Sequence, residues 1–275
     1  MDKYAVFGNP IKHSKSPLIH AAFARQFGQQ IQYRAVRVEP GDFKGTVERF
    51  FDSGGCGLNI TVPFKQEAFA LLDKCSERAR RAGAVNTLYK QDDGSLFGDN
   101  TDGVGIVRDM IANLGWTLQK RKVLILGAGG ATRGVLEPLL YERPDHITIV
   151  NRTASKAGEL AQIFTGLGSL EGGGYELIGG RRFDLVINAS SAGLHGEMPG
   201  LPGALLTDHG CCYDMVYGSE PTVFMRWAAQ HAAWAVSDGL GMLVEQAAES
   251  FYCWRRLRPA TGPVINQLRT LLEAA

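Results

Sequence analysis

The apolar run from Lys122 to Leu126, followed at once by Gly127-Ala128-Gly129-Gly130-Ala131-Thr132 and then by a helix-forming stretch, constrains this chain more than any other feature. A near-continuous apolar strand belongs in a parallel sheet that is covered on both faces. Glycines directly after such a strand let the backbone turn tightly and approach a pyrophosphate. The helix that follows offers unpaired N–H groups and the positive end of its dipole. The sixth position is Thr132, a departure from the common glycine-or-alanine fingerprint. A tight strand-to-helix turn without a ligand is the bland alternative. The next apolar strand ends at Val150 and runs into Asn151-Arg152-Thr153, with no Asp or Glu where an NAD-binding fold usually bonds the ribose 2′-hydroxyl. Arg152 is placed to fork onto a 2′-phosphate and to stack on adenine, and Lys156 adds a second charge one helical turn on. Thr153 is expected to cap that helix. The pattern favours NADP over NAD.

Around this turn, strand-like and helix-like segments alternate, which predicts an α/β fold with mostly parallel strands. Strands are expected at 4–7, 57–62, 84–89, 95–98, 122–126, 146–150, 183–188, 211–216 and 234–237. Helices are expected at 16–27, 64–72, 103–114, 153–164, 222–231 and 240–257, with one after the glycine turn kinked at Pro138 and one after Pro263. In the 103–114 segment, Val107, Met110, Ile111 and Leu114 form the stripe of an amphipathic helix, and Gly115 stands where a helix-ending glycine is wanted. The glycine-rich stretch 165–182 reads as a loop with a short strand.

A chain of 275 residues allows one large or two small domains. Glycines at both expected crossings, Gly103 and Gly239, divide it into 1–102 plus 239–275 and 103–238, with closure around a ligand as the expected motion. The formal net charge of +1, without long runs of one sign, gives no electrostatic case for nucleic acid or a membrane surface. No stretch is long and apolar enough for a signal core or a membrane span. Five cysteines without a CxxC pair, and six histidines without ligand spacing, predict neither disulfides nor a metal site and fit a reducing cytoplasm.

The N-terminal third carries polar clusters of another kind. The period-2 rule places Asn59 and Thr61 on one face of their strand, opposite Leu58, Ile60 and Val62. Lys65 lies just past its carboxyl end, where open α/β sheets bind ligands. Ser14 and Ser16 flank Lys15 before a helix, where capping and anion binding are both open. Asp102 enters another helix, where an N-cap is the ordinary role.

The ordered set Ser14-Lys15-Ser16-Pro17, Asn59-Ile60-Thr61-Val62-Pro63-Phe64-Lys65, Gly83-Ala84-Val85-Asn86-Thr87 and Asn100-Thr101-Asp102-Gly103 resembles the successive motifs of the shikimate dehydrogenases. The glycine turn, Asn151-Arg152-Thr153, Asp214-Met215-Val216-Tyr217 and Asp238-Gly239-Leu240-Gly241-Met242-Leu243 continue that set in the same order, with Gln246 after it. The resemblance implies an N-terminal α/β substrate domain plus a Rossmann-like dinucleotide-binding domain. It implies NADPH-dependent, reversible reduction of 3-dehydroshikimate to shikimate in aromatic amino acid biosynthesis. By the same resemblance Lys65 and Asp102 are the catalytic pair, and Ser14, Ser16, Asn59, Thr61, Asn86, Tyr217 and Gln246 bind the substrate. Glu77, Gly127, Ala128, Gly129, Gly130, Ala131, Asn151, Arg152, Thr153, Lys156, Met215, Gly239 and Met242 hold NADP, although ordinary core packing is an equal expectation for Met242.

Oxidation of a ring alcohol moves a hydride to the nicotinamide and a proton off the oxygen, and the protein's share is orientation and the proton. Lys65 serves as acid/base without a metal, and Asp102 either shares the proton or orients its partners. The rival readings are a dehydrogenase that also accepts quinate, which carries one more ring hydroxyl, and a non-catalytic NADP-binding sensor. Retention of both Lys65 and Asp102 speaks against the sensor. The expected partner is a small carboxylic acid, and the protein is expected as a monomer or homodimer.

Overall fold

The computed structural model describes residues 1–190, 197–198 and 200–274. The chain divides into two compact units, Met1–Gly105 with Val244–Val264, and Ile106–Leu243 with Ile265–Ala275. The boundaries fall inside helices, and the closing segment groups with the second unit, whereas the sequence pattern had pointed to the first.

In the first unit, β1 (Asp2–Gly8), α1 (Ser16–Gln26), β2 (Ile31–Arg37), α2 (Phe43–Asp52) and β3 (Gly55–Ile60) form a parallel half. Short elements follow: α3 (Lys65–Phe69), β4 (Lys74–Cys75), α4 (Glu77–Ala82), β5 (Thr87–Lys90) and β6 (Leu96–Asp99). The sheet order is β2-β1-β3-β5-β6-β4, with β5 antiparallel to both neighbours. Its core joins Phe7, Phe43, Val47, Phe51, Leu58, Ile60 and Phe64. Neither β2 nor α2 was expected. The strand Ile31–Arg37 is an edge with exposed and half-buried positions only, so no clean apolar alternation marks it. In α2, Phe43, Val47 and Phe51 do form a buried i, i+4, i+8 stripe.

α5 (Asp102–Arg108) carries the chain into the second unit and widens into a π turn at Asp109–Asn113. There Asp109 is buried and accepts the Tyr213 hydroxyl at 2.7 Å. Then come β7 (Lys122–Leu126), α6 (Gly130–Tyr141), β8 (His146–Val150), α7 (Ala154–Ile163), β9 (Leu170–Gly173), β10 (Phe183–Asn188), β11 (Leu206–Asp214), α8 (Val223–Gln230) and β12 (Ala235–Ser237). The sheet order is β12-β11-β10-β7-β8-β9, and every pairing is parallel. Alternate residues feed two cores, as a sheet covered on both faces requires. Val123, Ile125, Ile147, Ile149, Leu185 and Ile187 face one side, and Leu124, Leu126, Val150, Val186 and Cys212 the other. α9 (Leu240–Arg255) returns to the first unit, and α10 (Gly262–Glu273) closes the chain. Among the described residues no helix is long and apolar enough to cross a membrane.

Candidate active site

Two clusters of polar groups stand out, one in each unit. The first is built at the ends of β3, β5 and β6. Lys65 opens α3 after a short turn that follows β3, and Asp102 opens α5 after a short turn that follows β6. The Lys65 ammonium contacts Asp102 Oδ2 directly, and the other carboxylate oxygen accepts from Asn86 Nδ2 at 2.8 Å. Asn86 Nδ2 also reaches Gln246 Oε1, on α9, at 3.4 Å. Asp102 is only 11% exposed at its side chain against 29% for Lys65, so the carboxylate is the anchored partner and the ammonium the presented one.

Asn86 is held from behind. Its Oδ1 accepts the Thr101 backbone N–H at 3.0 Å and hydroxyls from Thr101 at 3.1 Å and Thr87 at 2.9 Å. With the oxygen filled, both amide hydrogens point toward Asp102 and Gln246. Thr87 Oγ1 in turn lies 2.6 Å from Ser250 Oγ, which accepts from Asn59 Nδ2 at 3.0 Å. Asn59 also donates to the Asn86 carbonyl at 2.9 Å and accepts the Tyr33 hydroxyl at 2.7 Å. The amide of Asn59 is thus buried and engaged by the fold, which makes it a support for Asn86. Thr87, Thr101, Ser250 and Tyr33 were missed by sequence reasoning. Only the threonines, inside the Asn86 and Asp102 motifs, carried any signal.

The remaining predicted substrate residues of this unit sit on its loops. Ser14 Oγ accepts the Ser16 backbone N–H at 3.3 Å, so it satisfies a free donor at the start of α1. Ser16 is buried at the start of α1, and burial pushes the Tyr33 phenol well above its ordinary value. Thr61 follows β3, half-buried, and its backbone N–H donates to Phe7 O at 2.9 Å. Glu77 is an exposed first residue of α4 paired with Arg80 at 3.4 Å, and it is not among the groove residues of the second unit.

The second cluster lines a groove of about 810 Å³ at the carboxyl ends of β7 and β8. Gly127, Ala128, Gly129, Gly130 and Ala131 form one wall, and Asn151, Arg152, Thr153 and Lys156 form another. Gly127 has φ +104°, and a Cβ there would meet the Ala189 backbone at 3.2 Å, so only glycine makes this turn without strain. Gly129 and Gly130 have open space where a Cβ would be, which leaves the start of α6 clear for a phosphate. Thr132 is wholly buried and its hydroxyl donates to Gly127 O at 2.7 Å, so the departure from the fingerprint locks the turn. Volume, a free helix start and two cations fit a phosphorylated dinucleotide. Thr153 occupies the N-cap position of α7, but its hydroxyl makes no capping bond. Asn151 Nδ2 donates instead to the Thr153 carbonyl at 3.0 Å. Tyr175 and Ser190 also line the groove and were not foreseen.

Met215 and Tyr217 lie past β11 and are half-buried. Their loop is tied by Asp214, which accepts from Asn188 at 3.1 Å, Thr222 at 2.6 Å and the Val216 N–H at 3.1 Å. Burial pushes the Asp214 carboxyl up against those bonds. A Cβ at Gly239 would meet Met215 O at 2.3 Å, so the glycine permits this close passage. Met242 packs in the core beside the π turn. Among the described residues no group of three or more His, Cys, Asp or Glu is placed to hold a metal ion.

Three family models match the chain: the shikimate dehydrogenase substrate binding domain over residues 6–88, shikimate/quinate 5-dehydrogenase over 110–191, and the shikimate 5′-dehydrogenase C-terminal domain over 239–269. A shikimate dehydrogenase (NADP(+)) of Cellvibrio japonicus is 57% identical over 99% of this chain and 98% of its own. An Ael1 enzyme of Pseudomonas putida superposes with a TM-score of 0.92 at 45% identity, over 98% of each chain. The shikimate 5-dehydrogenase of Thermus thermophilus, solved with NADP(H) and shikimate, superposes at 0.87 with 33% identity, over 99% of this chain and 100% of its own. With near-complete coverage of both units, the chain belongs to the shikimate dehydrogenase family.

Proposed function

We propose that this protein is an NADP-dependent oxidoreductase that reversibly reduces 3-dehydroshikimate to shikimate, with the first unit holding the substrate and the second the cofactor. The observation that carries the reading is the Lys65–Asp102 contact braced by Asn86. It presents an ammonium, a carboxylate and two amides together, the donor and acceptor set that a polyhydroxylated ring acid needs. Relatives named shikimate dehydrogenase (NADP(+)) at 54–57% identity support the same assignment.

When bound, NADPH supplies the hydride. Lys65 delivers a proton to the carbonyl oxygen during reduction and takes it back during oxidation. Asp102, fixed through Asn86, holds the ammonium in place and accepts from the reacting hydroxyl. Asn86, Gln246 and Thr61 orient the ring hydroxyls, and Ser14 and Ser16 hold the carboxylate; Tyr217, on the second unit, is a further candidate for substrate binding. In the second unit Gly127, Gly129 and Gly130 leave room for the pyrophosphate, and Arg152 with Lys156 meets the 2′-phosphate. Met215, Gly239 and Met242 complete the cofactor side, and Glu77 is its remaining candidate. Work in the cytoplasm as a monomer or homodimer completes the proposal.

The test is steady-state kinetics at the reduced-nicotinamide absorbance, with shikimate and quinate each paired with NADP and NAD. The highest kcat/KM should fall on shikimate with NADP. A higher value for quinate would replace the substrate assignment, and no turnover with either acid would remove it.

A further inference from the structure

The second unit has another recess, of about 330 Å³, toward the amino-terminal ends of its sheet strands, away from the glycine turn. Val123, Leu185, Cys211 and Ala235 form one row across four parallel strands. The recess is lined by residues at or before that row, among them Arg121, Asp184, His209 and Trp234. The glycine turn follows the other end of β7, five residues on, roughly 16 Å away at the usual rise per residue. The two cavities are therefore separate.

The chemistry of the recess is specific. Trp116 is half-buried and backed edge-on by Tyr213, with ring centroids 6.3 Å apart, which makes a fixed wall. Trp234 is 64% exposed and meets His209 edge-to-face. Indoles standing at a concave surface are the usual partners of planar apolar ligands. Among the described lining residues, the cation Arg121 is poorly matched: it lies 3.9 Å from Asp184, too far for a hydrogen bond. Asp184 already accepts the Lys122 backbone N–H at 2.9 Å and the Thr207 hydroxyl at 2.9 Å. The guanidinium fork therefore retains donors for a second carboxylate.

We propose that this recess binds a small planar aromatic carboxylate, with its ring against Trp116 and Trp234 and its carboxylate on Arg121, His209 adding a donor at the rim. The site is independent of the catalytic reading. Isothermal titration of the full chain with 2-naphthoate and 2-naphthamide, with and without saturating NADP, tests it. The carboxylate should bind once per chain and the amide at least about tenfold more weakly, as expected when a charge-assisted hydrogen bond is lost. Arg121→Gln should bring the carboxylate down to the level of the amide, Trp234→Ala should weaken both, and NADP should change neither. An unaltered unfolding temperature checks that the variants fold. No saturable binding at millimolar concentration, equal binding of the amide, indifference to Arg121→Gln, or competition by NADP would each overturn the proposal.

Discussion

Ser250→Ala isolates the support behind the catalytic pair. Ser250 is wholly buried; its hydroxyl accepts from Asn59 at 3.0 Å and divides its single proton between Thr87 at 2.6 Å and the Gln246 carbonyl at 3.1 Å, with Thr101 more distant at 3.3 Å. Removing the oxygen does not orphan its partners, because Asn59 keeps the Asn86 carbonyl and Thr87 keeps Asn86 Oδ1. The penalty is therefore the net value of two hydrogen bonds, about 2 kcal/mol in all, and not the larger cost of unsatisfied buried groups. For a chain of this size that is a fall in Tm of roughly 4–8 °C. Because Asn86 and Gln246 rest on this chain of bonds, KM for shikimate should rise several-fold while kcat falls less than about tenfold, since the proton-handling groups remain. Thermal unfolding and initial-rate kinetics on one preparation measure both. A Tm within about 1 °C of wild type would refute the hydrogen-bond reasoning, and a lowered Tm with unchanged KM would confine Ser250 to stability.

Arg152→Ala should weaken NADP binding by about 1.5–3 kcal/mol, roughly 10- to 150-fold, and leave NAD nearly unaffected; equal losses for the two cofactors would remove the 2′-phosphate role. His20 is fully buried with both ring nitrogens unpaired, and burial lowers its pKa to about 3. Because the unfolded imidazole still takes a proton near its ordinary value of about 6.5, this residue's contribution is complete above that pH and is lost as pH falls toward 3. Between pH 7.5 and 5 the loss is about 2 kcal/mol, so His20→Phe should show a stability–pH curve flatter by that amount in urea unfolding. An identical slope in the two proteins would contradict it.

What the sequence revealed follows the range of the forces involved. The apolar strands of the second unit and the glycine turn are local patterns, and the chain folds them as read. The strand Ile31–Arg37 escaped because an exposed edge needs no alternation. Thr153 shows the limit of positional rules: it occupies the N-cap, yet Asn151 makes the local bond. Lys65, Asn86 and Asp102 were legible by family resemblance, since their separate loops show no spacing that brings them together. Ser250 was not legible at all, because its partner Thr87 lies 163 residues away and a serine inside a helix normally signals nothing. Such supports are set by tertiary packing, which is where local periodicity stops informing.

The most direct test of the whole account is kcat for Lys65→Ala. The presented ammonium beside an anchored carboxylate predicts a drop of roughly 10²–10⁴, the usual value of general acid–base catalysis, with shikimate KM changed much less. Turnover close to wild type would mean that the proton travels without Lys65, and the proposed mechanism would fall with it.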